Sequence, residues 1–207
     1  MLKIYKPTKT NKGSMVSFFL TNDNSIMVQL VKQASWDENK NQGSFFENYK
    51  NDNAKIVSKL GRDEVAGLLD SMERSTEFNF QHNHGKSPYK LIGFFQPHFK
   101  SIKNSDGGWE KTDEQIGYSL SITKIKKEDE SKLTIRIGFK YSEARLLKND
   151  LEMMLERTFV ENAFDVKKEE ASTTSNPSSS NPSRSPKEKT EKAVTVGGGE
   201  EDEEELW

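Results

Sequence analysis

The chain has 207 residues, 31% of them charged and 32% hydrophobic, with a formal net charge of −2 and a mean hydropathy of −0.87. It contains no cysteine, which excludes disulfides, thiolate metal sites and cysteine nucleophiles. No apolar run approaches the roughly 18 residues of a membrane helix, and MLKIYKPTKTNK lacks the apolar stretch of a secretory signal.

In chain order, LKIYKPTKTNKG is expected to begin extended and to turn after Pro7 into a lysine-rich loop. GSMVSFFLTNDNSIMVQLVKQAS reads as a hairpin, because two apolar runs flank the turn residues Asn22 to Ser25. Ile26, Val28 and Leu30 share one face of its second strand. WDENKNQGSFFENYKNDN is polar and reads as a long loop, and AKIVSKLG as a further strand. RDEVAGLLDSMERS then turns helical, with Val65, Leu68, Leu69 and Met72 on one face and Asp63 and Glu64 in the first turn.

Strands resume at EFNFQHN, YKLIGFFQPHF, IGYSLSITKIKK and KLTIRIGFK. The last alternates cleanly: Leu133, Ile135, Ile137 and Phe139 against Lys132, Thr134, Arg136 and Lys140. One face should be buried and the other basic and wet. YSEARLLKNDLEMMLERTFVENAF predicts a second helix, with Ser142 as N-cap and Leu147, Leu151, Met154, Leu155 and Phe159 as its apolar stripe. The two strand-to-helix junctions resemble each other. Setting Glu64 on Glu143 sets Leu68 on Leu147, which implies two copies of one supersecondary unit.

The expected organisation is a folded domain over 1–165, a disordered Ser/Pro/Lys-rich linker over 166–199 and an acidic tail with an aromatic tip over 200–207. The linker has too few apolar residues to offset its ordering entropy. Residues 1–165 hold 25 Lys and Arg against 23 Asp and Glu, about +2, whereas 166–207 hold 6 against 10, about −4. Such asymmetry suits nucleic-acid partners or interaction tails.

The fold class is α+β: antiparallel sheets with two helices, in the order β4-α-β4-α. In YKPTKTNKGSMVSF, SKLGRDEVAGLLDSMER, FNFQHN and IRIGFKYSEARLLKNDLE the chain resembles the Whirly family and the related positive cofactor four, over about residues 2–160. Where plant Whirly proteins carry Lys-Gly-Lys-Ala-Ala-Leu, this chain reads Lys12-Gly13-Ser14-Met15-Val16-Ser17 and shares only the Lys-Gly step. The resemblance, of phage or archaeal type, implies binding of single-stranded DNA or RNA along the sheets with little sequence preference.

Sequence-tolerant binding needs cations for phosphates and aromatic faces for bases. Candidates are Lys6, Lys9, Lys12 and Lys32, with Trp36, His82, Lys90 and Phe94. Each has a plainer reading: lysines blunt edge strands, Trp36 anchors the long loop, and His82 is an ordinary strand histidine. His82, His84 and His98 do not make a convincing zinc set. No phosphate loop, nucleophile elbow or calcium loop is present, so no catalytic residue, metal or cofactor is expected.

The stretch EEDEEELW adds Glu203, Glu204, Glu205, Leu206 and Trp207 as a candidate partner-binding tip. Its acids steer toward basic partners and the Trp207 ring suits a small pocket; plain solubility is the alternative. Residues and resemblance together imply a virus-encoded single-stranded DNA-binding protein of replication, recombination or repair. It is expected in the cytoplasm or host-cell cytoplasm, nucleoid-associated, with homo-oligomer formation open. An RNA-binding or transcription-coactivator relative, or a protein-interaction adaptor, are the other readings.

Overall fold

The computed structural model describes residues 1–83 and 85–173, and the side chains of these up to Phe159. The linker beyond 173 and the tip at 200–207 lie outside the described residues.

Four strands form the first sheet: β1 (Leu2–Lys6), β2 (Ser14–Leu20), β3 (Ile26–Lys32) and, after an insertion, β6 (Lys55–Leu60). They are antiparallel in the order β1-β2-β3-β6. The insertion was expected to be a loop. It instead folds as a small hairpin, β4 (Ser35–Asp37) with β5 (Gln42–Ser44), and a 3₁₀ turn over Glu47–Lys50. The reason is Phe45, which caps Met15 and Val31 on the outer side of the first sheet together with Tyr49.

Helix α1 (Arg62–Arg74) leads into the second sheet: β7 (Phe78–His82), β8 (Tyr89–Lys103), β9 (Trp109–Lys126) and β10 (Lys132–Lys140), antiparallel in the order β10-β9-β8-β7. Helix α2 (Tyr141–Thr173) follows and runs past the expected boundary at 165. Beyond the bulges at His98 and Phe99, β8 and β9 continue as a two-stranded ribbon whose end pairs Lys103 with Trp109.

The alternating apolar residues meet in one core between the sheets and helices. Val16, Phe18, Val28 and Leu30 come from the first sheet, Phe95, Leu120, Ile122 and Ile137 from the second, and Val65, Leu68, Leu147 and Leu151 from the helices. Helix α1 packs on β7 and β8, and α2 on β1 and β2 as well as β9 and β10. Each helix thus touches the other unit's sheet. Gly67 of α1 lies under Phe78, whose ring would sit 2.2 Å from an added Cβ. The units therefore interlock rather than fold as separate domains.

The duplication is visible atom by atom. Glu64 accepts the backbone N–H of Gly61 at 2.7 Å, and Glu143 accepts that of Lys140 at 2.8 Å. Both close the helix N-terminus from its third position. Val65, Leu68 and Met72 are buried, as are their counterparts Ala144, Leu147 and Leu151. Ser142 is consequently inside the first turn of α2, and Lys140 takes the N-cap position expected of it. Phe159 leaves the expected stripe: it is 54% exposed and lies under the Arg62 guanidinium, 4.6 Å from its ring centre.

Candidate nucleic-acid interface

The inner face of the second sheet is built of rows such as Phe80–Gly93–Ile122–Ile135. The next row alternates outward: Asn79–Phe94–Ser121–Arg136, followed by Gln81–Ile92–Thr123–Thr134. Lys90 and Lys132 flank Ile125 one row further along. Phe94 and Lys90 are half-buried in this surface, while Lys132, Thr134, Arg136 and Lys140 are exposed. The basic, wet face expected of β10 is present, and Lys90 and Phe94 share it.

Strand β10 is an edge of its sheet and meets the start of β2. There the Ser14 hydroxyl donates to the Arg136 carbonyl at 2.6 Å. A cleft opens at this junction, lined by Lys12, Lys32, Thr134 and Arg136. It continues past Lys32 to Tyr89, Lys124, Lys126 and Lys132, with Asp52 and Asp129 also on its wall. Among the described residues, no carboxylate lies within 4.0 Å of the Lys12, Lys32, Lys132 or Arg136 side chains. Lys126 is held by Glu128 and Asp129 at 2.8 and 3.4 Å. Lys124 donates to the carbonyls of Asp52 and Lys55 and lies 4.9 Å from the Tyr89 ring centre. Burial holds its pKa below the usual lysine value.

The other expected contacts are placed differently. Lys9 and Lys12 are exposed on the loop between β1 and β2. Lys6 turns inward and binds both oxygens of Glu143 at 2.5 and 2.6 Å. His82 is drawn between Glu64, 2.7 Å from Nε2, and Ser58, 2.9 Å from Nδ1, with 16% of its side chain exposed. Trp36 is half-buried on the β4–β5 hairpin opposite Gly43. Lys12 and Lys32 share the cleft with Arg136, Lys90 and Phe94 lie on the outer face of the sheet whose edge strand carries Arg136, and Lys6 and His82 have partners inside the fold. Among the described residues, no group of three or more His, Asp or Glu side chains is placed to hold a metal ion, and no helix is long and apolar enough to cross a membrane.

Sequence reasoning assigned Arg136 and Lys132 to the wet side of a strand but not to a site. Their alternation with Leu133 and Ile135 was the available signal. Their proximity to Lys12 and Lys32 depends on how two distant edges meet.

No protein-family model matches the chain, and no curated protein matches it in sequence. Solved structures do resemble it. WHY3 from Arabidopsis thaliana superposes with a TM-score of 0.51 at 15% identity, covering 83% of this chain and 95% of that one. MRP1/MRP2 of Trypanosoma bruciei gives 0.49 at 13% identity, covering 76% and 84%. The plant transcriptional regulator PBF-2 gives 0.48 at 15% identity, covering 79% and 86%. With WHY3 the likeness spans nearly the whole of the neighbour. The chain has a Whirly-like fold, made of two β4-α units in one polypeptide.

Proposed function

We propose that the protein binds single-stranded nucleic acid, single-stranded DNA first, along the outer face of the second sheet and into the cleft beside β10. The observation that carries this reading is the path joined by Arg136. On one side of it lie Phe94, Lys90 and a surface of Ser, Thr, Asn and Gln side chains. On the other lie Lys12 and Lys32, with no carboxylate within 4.0 Å of either amine among the described residues. Phosphates follow the cations, and bases lie on Phe94 and on the half-buried Ile92 and Ile125. Such contacts work with any base, because every base has a π-face. The Whirly-like fold supports the same reading.

In this reading the protein is a binder and not an enzyme. It covers single strands during replication, recombination or repair. The tail at 200–207 competes weakly for the basic cleft and recruits partners through Glu203, Glu204, Glu205, Leu206 and Trp207. A Ser/Pro/Lys-rich linker gives it reach without fixed geometry.

The test is binding of poly-dT, poly-U and duplex DNA over a salt series. Strong, salt-sensitive binding of poly-dT is expected, since counterion release dominates such contacts. Preference for poly-U assigns RNA instead. No binding of either single strand removes the proposal.

A further inference from the structure

The β4–β5 hairpin and the turn after it enclose a second concave surface, on the outer side of the first sheet. It is a cavity of about 620 Å³. Its floor is Phe45, buried against Met15 and Val31. Its sides include Tyr5, Phe46 and Tyr49, with Pro7, Gln42 and Ser44 at the rim. Tyr5 packs on Phe45 with ring centres 5.7 Å apart. Burial, with the neighbouring Tyr5, pushes the Tyr49 hydroxyl up to about 12.

Phe46 is 77% exposed and Tyr5 49%. A Phe ring left in water forgoes its burial. One such ring needs no explanation. Two, lining a single opening with a few polar groups at its rim, have the make-up of a small-ligand site.

We propose that this cleft receives an unstacked base of the bound strand, seated against the rings of Phe46 and Tyr5. The proposal rests on the strand-binding reading above and extends it to the first unit. Continuity favours a base. Pro7 lines this cleft and Lys12 the basic one, so the loop between them, with Lys9 and Lys12 exposed, is the bridge a strand would cross. Gln33 fixes that bridge. Its Oε1 accepts the N–H groups of Thr8 and Gly13 at 2.8 and 3.2 Å. Its Nε2 donates to the carbonyls of Thr8 and Ser35 at 3.0 and 2.9 Å, tying the cationic loop to the hairpin before any ligand arrives. Charge agrees. The charged pair in the cleft, Lys40 and Asp37, lies at 3.7 Å and cancels, which suits a neutral base better than an acidic peptide.

The experiment uses the full chain and a dT oligonucleotide carrying 5-iodouracil. Irradiation of the complex should crosslink to Phe46 or Tyr5, read by peptide mapping. Phe46→Ala should weaken binding about 5- to 150-fold, the range for one stacked base, with an unchanged salt slope. Phe46→Trp should retain affinity. If the wild-type chain binds the strand, yet Phe46→Ala and Tyr5→Ala bind equally well and crosslinks map only to the second sheet, the inference falls and the strand-binding reading stands. If the wild-type chain binds no single strand, both fall.

Discussion

Lys6 and Glu143 meet at 2.5 Å across the boundary between the two units. Lys6 is the last residue of β1, and Glu143 is the helix-closing acid of α2. The same relation recurs with the roles of the units exchanged: His82, the last residue of β7, meets the helix-closing Glu64 of α1 at 2.7 Å. Each helix N-terminus is thus fastened to the first strand of the opposite unit.

Breaking either fastening should loosen both units. Lys6→Ala is expected to cost about 1–2 kcal/mol, between exposed and buried pairs. Urea unfolding of Lys6→Ala, Glu143→Gln and the double variant should give a coupling energy of similar size. Strict additivity would show that the pair contributes nothing.

The same pair makes acid stability depend on Glu143. Burial pushes its pKa up, but the hydrogen bond from Lys6, the Lys140 N–H and nearby positive charge prevail, holding it below the usual Glu value. A depressed folded-state pKa adds stability above the unfolded-state pKa and loses it as pH falls through the folded one. Unfolding free energy should therefore decline through and below the ordinary carboxylate range. Glu143→Gln should show a shallower decline. An identical acid limb in both proteins would refute the assignment.

Gly93 and Phe80 should be exchangeable as a pair. Phe80 lies opposite Gly93, where an added Cβ would meet its ring at 2.1 Å. The first unit fills the matching row with Ile4 opposite Val16. Gly93→Val alone overpacks the core and should cost at least 1–3 kcal/mol. Adding Phe80→Ile should restore part of that loss. A double variant no more stable than Gly93→Val would argue against this compensation.

Replacing Lys12, Lys32 and Arg136 with Ala should flatten the salt dependence of strand binding. Each lost phosphate contact removes about 0.7 from the slope on a single strand, so a total near 2 is expected. Lys6→Ala should leave the slope alone, because its charge is occupied by Glu143. An unchanged slope in the triple variant would remove the cleft from the path.

Deleting 200–207 should leave strand binding intact or tighter, and Trp207→Ala should abolish partner capture without affecting the strand. Weaker strand binding by the deletion would contradict a competing tail.

Much of this was readable in local sequence. Apolar runs between turn residues, with clean period-two alternation in KLTIRIGFK, pointed to the eight main strands, and the matched spacing of Glu64–Leu68 and Glu143–Leu147 pointed to the repeat. Both patterns come from one residue's relation to near neighbours. The rest depends on distant ones. The hairpin holding Trp36 is polar along its length and is organised by Phe45 closing over Met15 and Val31. Lys6 and His82 looked like surface strand residues because their acids lie on helices, Glu143 at the far end of the fold and Glu64 on the helix before β7. Lys12 and Arg136 converge only where the edges of two sheets meet.

The unequal treatment of the two outer faces has a further consequence. Phe45 and Tyr49 cover part of the first sheet, while the matching rows of the second stay polar and basic. A pair of identical subunits must repeat every alteration on both sides of its axis. Two joined copies escape that constraint, and each half is free to acquire a task of its own without altering the other.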